Sequence, residues 1–415
     1  MLKLKHLVII LVIVAINFFY VVWYILNQND LNGRSEKFSD IFGGATRWTR
    51  SDGVVNNEFR VHANYRVAQV TVGSNDLTLV SQCSINNLYW VIQQTRGWSP
   101  APLSIAIFAA GEEGYLAKEI IDRLRKCVPE VKKYVTFHLL YPTAFPPSTS
   151  EESVPDDCSQ LLALIEKLEK GGNYRRLDRI KYPQNSLRNL ARDNVKTELF
   201  YLVDIDTLPS VNFKHDFFSF MNKNPDLFLD KMSAFVTPAF ELDDNIKDHT
   251  PKSRKELLEL QHDKKARQFH VETCPHCHRP ANYSWWEADS NEDIFEIEYF
   301  SAFEPFYVSS TETTPFYDER FKAYGYDRIS QLCEMHVKGF TFYTFKHGFV
   351  SHFGFKTAEG MHANKNKENQ QNWLNYEQIF KPMLRTKYPS SDRQCRDNKE
   401  QLKKHSAGGR SDVKF

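Results

Sequence analysis

The stretch YLVDIDTLPS, Tyr201 to Ser210, decides the fold. It closes a run, ELFYLVDID from Glu198 to Asp206, that is almost wholly apolar until two aspartates appear with Ile205 between them. A near-continuous apolar strand belongs in the middle of a sheet covered on both faces. A carboxylate at the end of such a strand loses solvation unless something compensates it. Residues i and i+2 of a strand point to one side, so Asp204 and Asp206 are expected to share a pocket, with Ile205 turned to the core. Two carboxylates so placed repel, and a divalent cation removes the conflict. Oxygen donors suit Mn²⁺ or Mg²⁺, which keep open positions for substrate phosphates. The same spacing also arises by chance in helix caps and surface loops. Its weight here lies in its place at the end of a central strand.

Working outward, strands and helices alternate. LTLVSQCS (Leu77–Ser84), LSIAIFAA (Leu103–Ala110) and YVTFHLLY (Tyr134–Tyr141) read as strands. Glu112–Val128, Cys158–Lys170 and Ser186–Asn194 carry helical spacing. This alternation predicts an α/β fold, a Rossmann-like mainly parallel sheet flanked by helices. Ligands of such sheets gather beyond the carboxyl ends of the strands, where the aspartates lie. The second half is less regular. Met232–Glu241, Phe303–Ser310, Phe340–Phe345 and the segment Gly348–Lys356 read as strands, and Ser253–Phe269 and Arg328–Gly339 as helices. There is no internal repeat.

A metal needs more ligands than two carboxylates. His352 in GFVSHFGFK follows an apolar strand and precedes Gly354 and Lys356. Glycine permits close backbone approach, and lysine offers a point charge to a phosphate. Taken alone, His352 reads equally as a core histidine. In YPQNSLRNLARDN, Arg188 and Arg192 are four apart and share a helix face. Their guanidinium groups suit a diphosphate or a sugar carboxylate, and Asn189 between them is grouped with them. A solvated basic helix face is the plainer alternative. Cys274-Pro-His-Cys277 could be half a zinc site, but no second C-x-x-C exists, and in an oxidising lumen a disulfide is the simpler reading.

The N-terminus indicates which compartment is meant. LVIILVIVAINFFYVVWYIL, Leu7 to Leu26, follows Lys3 and Lys5 and is long enough to cross a bilayer. Its aromatic end and the lack of a small-residue cleavage site favour an uncleaved signal-anchor over a signal peptide. The expected organisation is a cytosolic tail at 1–6, a transmembrane anchor at 7–26, a stem at 27–70, a catalytic domain at 71–390 and a polar tail at 391–415. Asn282-Tyr-Ser is a glycosylation sequon, and seven cysteines suit a lumen, with most paired and at least one free. Lys+Arg 53 against Asp+Glu 52 excludes a broad nucleic-acid surface. Aromatics at 14% serve cores and sugar-stacking sites alike.

Together these features fit a nucleotide-sugar transferase of the GT-A type. KYPQNSLRNLAR, YLVDIDTLPS, TPAFE, CPHCHRPANYSWW, FEPFYV, YDERFKAYGYDRISQLCEMHVKGF and HFGFK resemble successive motifs of the beta-1,4-glucuronyltransferase 1 family, related to the glucuronyltransferase domain of the LARGE enzymes. The resemblance spans about Leu77 to Tyr388. It departs at Asp327, where the family pattern has asparagine, and in a longer tail after Cys395. It implies a type II Golgi membrane enzyme using Mn²⁺ and UDP-glucuronate. The implied acceptor is a xylose-terminated O-mannosyl glycan on a dystroglycan-type glycoprotein, and other Golgi transferases are implied as complex partners. Asp204 and Asp206 match the family's metal pair. A β product from an α-linked donor requires inversion, hence a base for the acceptor hydroxyl. Glu304 is favoured over Asp327, and Asp318 is expected to pair with Arg320. Two alternatives stay open: a UDP-N-acetylglucosamine β-1,3-transferase on the same fold, and a membrane-tethered glycan-binding protein without activity.

Overall fold

The computed structural model describes residues 47–51, 54–169, 180–246, 250–357 and 365–395. The expected anchor at 7–26 and the segment 1–6 fall outside them. Among the described residues no helix is long and apolar enough to cross a membrane.

Among those residues fourteen strands form two sheets. In chain order they are β1 (Arg47–Ser51), β2 (Val54–Arg66), β3 (Leu77–Ser84), β4 (Leu103–Phe108), β5 (Val135–Pro142), β6 (Leu199–Leu202) and β7 (Thr207–Pro209). There follow β8 (Ser233–Thr237), β9 (Ala239–Leu242), β10 (Ala266–Gln268), β11 (Ile294–Ile297), β12 (Phe306–Ser310), β13 (Thr341–Phe345) and β14 (Val350–Phe353). The large sheet has the order β1-β2-β5-β4-β3-β6-β12-β8-β13-β11, the small one β10-β9-β14-β7.

The βαβ half is as the alternation demands. β5, β4, β3 and β6 run parallel, and every residue of β3 and β4 is buried, so both faces are covered. The helix Gln184–Asp193 lies on one face, where Ser104 Oγ of β4 donates to Ala191 O at 2.6 Å. The sheet as a whole is mixed, not mainly parallel. β12 sits antiparallel between β6 and β8, and β11 and β2 pair antiparallel with β13 and β5. A parallel neighbour needs a crossover helix, and the second half lacks regular strand–helix–strand alternation.

Three strands of the large sheet continue into the small one across short links. β6 leads to β7 through residues 203–206, β8 to β9 through Pro238, and β13 to β14 through residues 346–349. The segment Met232–Glu241, expected as one strand, is therefore two. Proline has no N–H for a ladder, so the pairing breaks there. Its carbonyl accepts from Val350 N at 3.0 Å and links the next crossing.

Other boundaries shift for local reasons. The helix expected to run to Phe269 spans Arg254–His262, capped by Ser253 Oγ accepting from Glu256 N at 3.2 Å. Lys264, in the left-handed region, turns the chain into β10. β2 reaches into the range read as stem and pairs with β5 from Phe59 onward. At the other end, residues 391–395 of the presumed tail are fastened: Arg393 Nη1 donates to Phe340 O at 2.8 Å, and Cys395 is bonded to Cys333. The remaining disulfides are Cys127–Cys158 and Cys274–Cys277, and Cys83 is a buried free thiol. Much of the aromatic content is core. Phe213, Phe217 and Phe220 of the helix Phe213–Lys223 form a continuous cluster with Phe228 and with Phe235 and Phe345 of β8 and β13.

Candidate functional site

The site lies where the chain passes between the sheets. β6 ends at Leu202, so Asp204 and Asp206 stand in a turn and not on a strand, contrary to the i, i+2 expectation. The turn is held by its main chain. Asp204 O accepts from Thr207 N at 3.1 Å, Thr207 Oγ1 at 2.7 Å and Gln94 Nε2 at 2.7 Å. Gln94 is fully buried on the helix Leu88–Trp98 and also donates to Thr207 O at 2.9 Å. With the backbone so fixed, the two carboxylates take different partners.

Asp206 Oδ2 lies 3.2 Å from His352 Nε2. His352 Nδ1 lies 3.1 Å from Gly354 O. A carbonyl only accepts, so Nδ1 carries a proton. In the neutral ring the Nε2 lone pair then points at a carboxylate oxygen. Two electron-rich atoms face each other, an arrangement that calls for a proton or a cation between them. Gly354 makes the turn possible at φ +90, a region side-chain-bearing residues rarely adopt. Beyond it, Lys356 holds its ammonium 5.2 Å from the Phe269 ring centroid. Burial works to raise Asp206, but Lys356 and His352 outweigh it and hold the carboxyl well below the usual range.

Asp204 turns to cations of the protein. Arg328 Nη2 pairs closely with its Oδ1, and Arg188 Nη2 lies 3.5 Å away. Arg188 Nη1 is bound more tightly to Asp327 Oδ2 at 2.6 Å. The result is an alternating chain of charges: Asp327, Arg188, Asp204, Arg328. Burial opposes ionisation of Asp204, and the two arginines still keep it low. The three expected metal ligands are thus divided. Asp206 and His352 come together, while Asp204 is engaged by guanidinium groups. Among the described residues, the trio whose ligand atoms all lie within 4.8 Å is Cys274, His276 and Cys277, and there the two sulfurs are already joined.

Glu304 is half-buried at the edge of this charge network. Its N–H donates to Cys277 O at 3.0 Å, so the disulfide loop sets its backbone. Burial, with the Asp327 carboxylate adding to it, pushes its carboxyl up to about 7, although Arg328 and Arg188 oppose. Asp327, spent on Arg188, is the less available base. Asp318 pairs with Arg320 as expected, Arg320 Nε lying 2.9 Å from Oδ1.

Two expected donor contacts are placed elsewhere. Arg192 is buried, donating to Pro315 O at 2.7 Å and Thr314 O at 2.9 Å. Asn189 donates to Tyr317 O at 2.8 Å and accepts from Tyr317 N at 2.8 Å. Both fasten the segment Thr314–Tyr317 to the helix. Sequence reasoning missed Arg328 and Gln94. Arg328 follows Asp327 and could have been found as the one cation at that helix start. Gln94, amid WVIQQTRGW, offered only the hint of a polar side chain in an apolar helix.

A turn of acids facing a histidine at the seam of two sheets, with a poised carboxyl beside it, is the equipment of a group transferase acting on a charged donor. Residues 76–389 match the model of a family described as "Glycosyl-transferase for dystroglycan", and the chain belongs to that family of glycosyltransferases. It is 32% identical to "Beta-1,4-glucuronyltransferase 1" of Danio rerio over 89% of this chain and 88% of that one. It is 25% identical to "Xylosyl- and glucuronyltransferase LARGE2" of Mus musculus over 67% of this chain and 34% of that one. Among solved structures, S. aureus TarS 1-349 in complex with UDP-GlcNAc is similar at a TM-score of 0.37 and 8% identity, over 79% of this chain and 69% of that one.

Proposed function

We propose that the chain transfers glucuronate from UDP-glucuronate, with inversion, to a xylose-ended acceptor on a dystroglycan-type glycan, as a Golgi-membrane enzyme whose domain is luminal. Family membership and the glucuronyltransferase named above support the donor class. The observation that carries the mechanism is the Asp206–His352 pair, with Nδ1 committed to Gly354 O and Nε2 left for a cation. Asp206 and His352 would hold Mn²⁺ directly. The ion would neutralise charge on the departing diphosphate.

The chain's own residues do the rest. Lys356 places a cation beside Asp206, where the leaving group's negative charge grows. Arg188 and Arg328 are clamped by Asp204 and Asp327, so their guanidinium groups are neutralised and held in fixed orientation beside the turn. Glu304, poised near neutrality, takes the proton from the acceptor hydroxyl as its oxygen attacks the anomeric carbon and the bond to UDP breaks.

A donor screen with Mn²⁺ and a simple xyloside tests this. Transfer is expected from UDP-glucuronate and not from UDP-N-acetylglucosamine. The reverse preference would replace the donor. Absence of Mn²⁺-dependent UDP binding would leave a glycan-binding protein.

A further inference from the structure

The H-x-G-x-K segment is held by a charge to which the mechanism above gives no role. Glu241, the last residue of TPAFE, lies on β9, and its side chain is fully buried. A buried carboxylate without compensation is costly. This one has three donors. Arg267 Nε reaches Oε2 at 2.7 Å, the His270 main-chain N–H reaches Oε1 at 2.9 Å, and the Lys356 main-chain N–H reaches Oε2 at 3.1 Å. Arg267 closes the ring by donating Nη2 to Lys356 O at 2.9 Å, and its guanidinium lies 4.5 Å from the Phe355 ring centroid. Both the N–H and the carbonyl of Lys356 are thus held by one ion pair.

β9 pairs with β14 in parallel, His352 opposite Glu241, so the carboxylate starts one strand away from the metal-facing histidine. After Gly354 the chain leaves the sheet, with Gly354 N still bonded to Leu242 O at 2.9 Å. Past that bond, Phe355 and Lys356 have no ladder to follow. The Glu241–Arg267 pair takes over the task of the strand.

We propose that Glu241 is a positioning residue for donor binding: with Arg267 it fixes the backbone of Lys356 so that the ammonium meets the nucleotide diphosphate. The inference rests on the reading of Lys356 as a diphosphate contact, and it does not depend on which sugar is transferred. A carboxylate accepts from all three donors at once. A carboxamide must present an N–H to one of them, so Glu241→Gln breaks the arrangement at nearly constant volume.

The full-length protein is tested with UDP in saturating Mn²⁺ by calorimetry, with folding followed by thermal unfolding. Glu241→Gln and Arg267→Gln are each expected to weaken UDP by about tenfold, as loss of supporting contacts around a charged site commonly does. The donor KM should rise in step, with the acceptor KM unchanged. In a Lys356→Ala background, Glu241→Gln should then have no further effect on UDP affinity. Additive losses, or an acceptor KM that rises with the donor KM, would overturn the inference. So would wild-type UDP affinity in a folded Glu241→Gln, or in Arg267→Gln should the first variant not fold. If Lys356→Ala itself leaves UDP affinity unchanged, the reading of Lys356 falls, and the positioning role falls with it. A change of preferred sugar donor alters the proposed function alone, since UDP affinity is the quantity read.

Discussion

The two halves of the large sheet behave differently. β3, β4 and β5 are joined to one another through helices, and nearly every side chain in them is buried. In β6, β8 and β13 it does not leave: each strand breaks and resumes in the small sheet. The first half supplies a rigid wall. The second supplies the breaks, and in two of them polar side chains, Asp204 and Asp206 in one and His347 in the other, are only partly buried or exposed. Asp204 and Asp206 stand in one break, Glu241 and His352 just beyond the others. Stability and chemistry are therefore expected to separate along the chain.

The sharpest test of that separation is Asp206→Asn. It should cut glycosyl transfer by roughly 100-fold or more through lost cation and diphosphate binding. Because Lys356 and His352 hold the Asp206 carboxyl below the usual range, the variant should also melt lower at neutral pH, and transfer that survives it would place the chemistry elsewhere. Glu304→Gln comes next: transfer should fall by roughly 100-fold while UDP binding persists, as for loss of a general base. In the wild type, the base must be deprotonated. The rate should therefore rise with pH through about 7 and level off above it. A rate independent of pH between 6 and 8 would point to another base.

In the wall, Ile105→Ala in β4 should cost about 3 kcal/mol of stability, since the side chain is fully buried, and leave the KM for either substrate unchanged. Gly354→Ala, between wall and site, should cost about 1 kcal/mol for its left-handed backbone and raise the donor KM a few-fold. The stability effect of Glu304→Gln has the opposite sign. A glutamate normally near 4.5 that is raised in the folded state disfavours folding once the unfolded group ionises. The variant should thus melt higher than the wild type at pH 8, with the gap closing below about pH 5. A gap that persists in acid would assign the effect to packing.

The wall was legible because periodicity and burial coincide there. LSIAIF and the helix Glu112–Cys127 announce themselves by pattern alone. The motif DID was legible as chemistry, yet its geometry was not: turn residues were read as strand because the apolar run gives no sign of where pairing stops. The same holds at Pro238, which reads as lying inside one strand although its missing N–H ends the ladder there. Arg188 and Arg192 looked equivalent on the helix. Only the fold shows that one meets carboxylates and the other main-chain carbonyls. What a buried arginine touches is set by distant segments, here Thr314, Pro315 and Asp327, whose approach no local pattern encodes.

The bond between Cys333 and Cys395 reaches further than its place near the chain end suggests. Cys333 sits on the helix Asp327–Lys338, whose first two residues belong to the charge network. The family match ends at residue 389, six residues short of the second sulfur. A premature stop codon in that gap would spare the whole recognised region yet leave Cys333 without a mate. Nonsense alleles there should be read as damaging, and expression boundaries drawn at the end of homology would cut off a brace of the helix that carries Asp327 and Arg328.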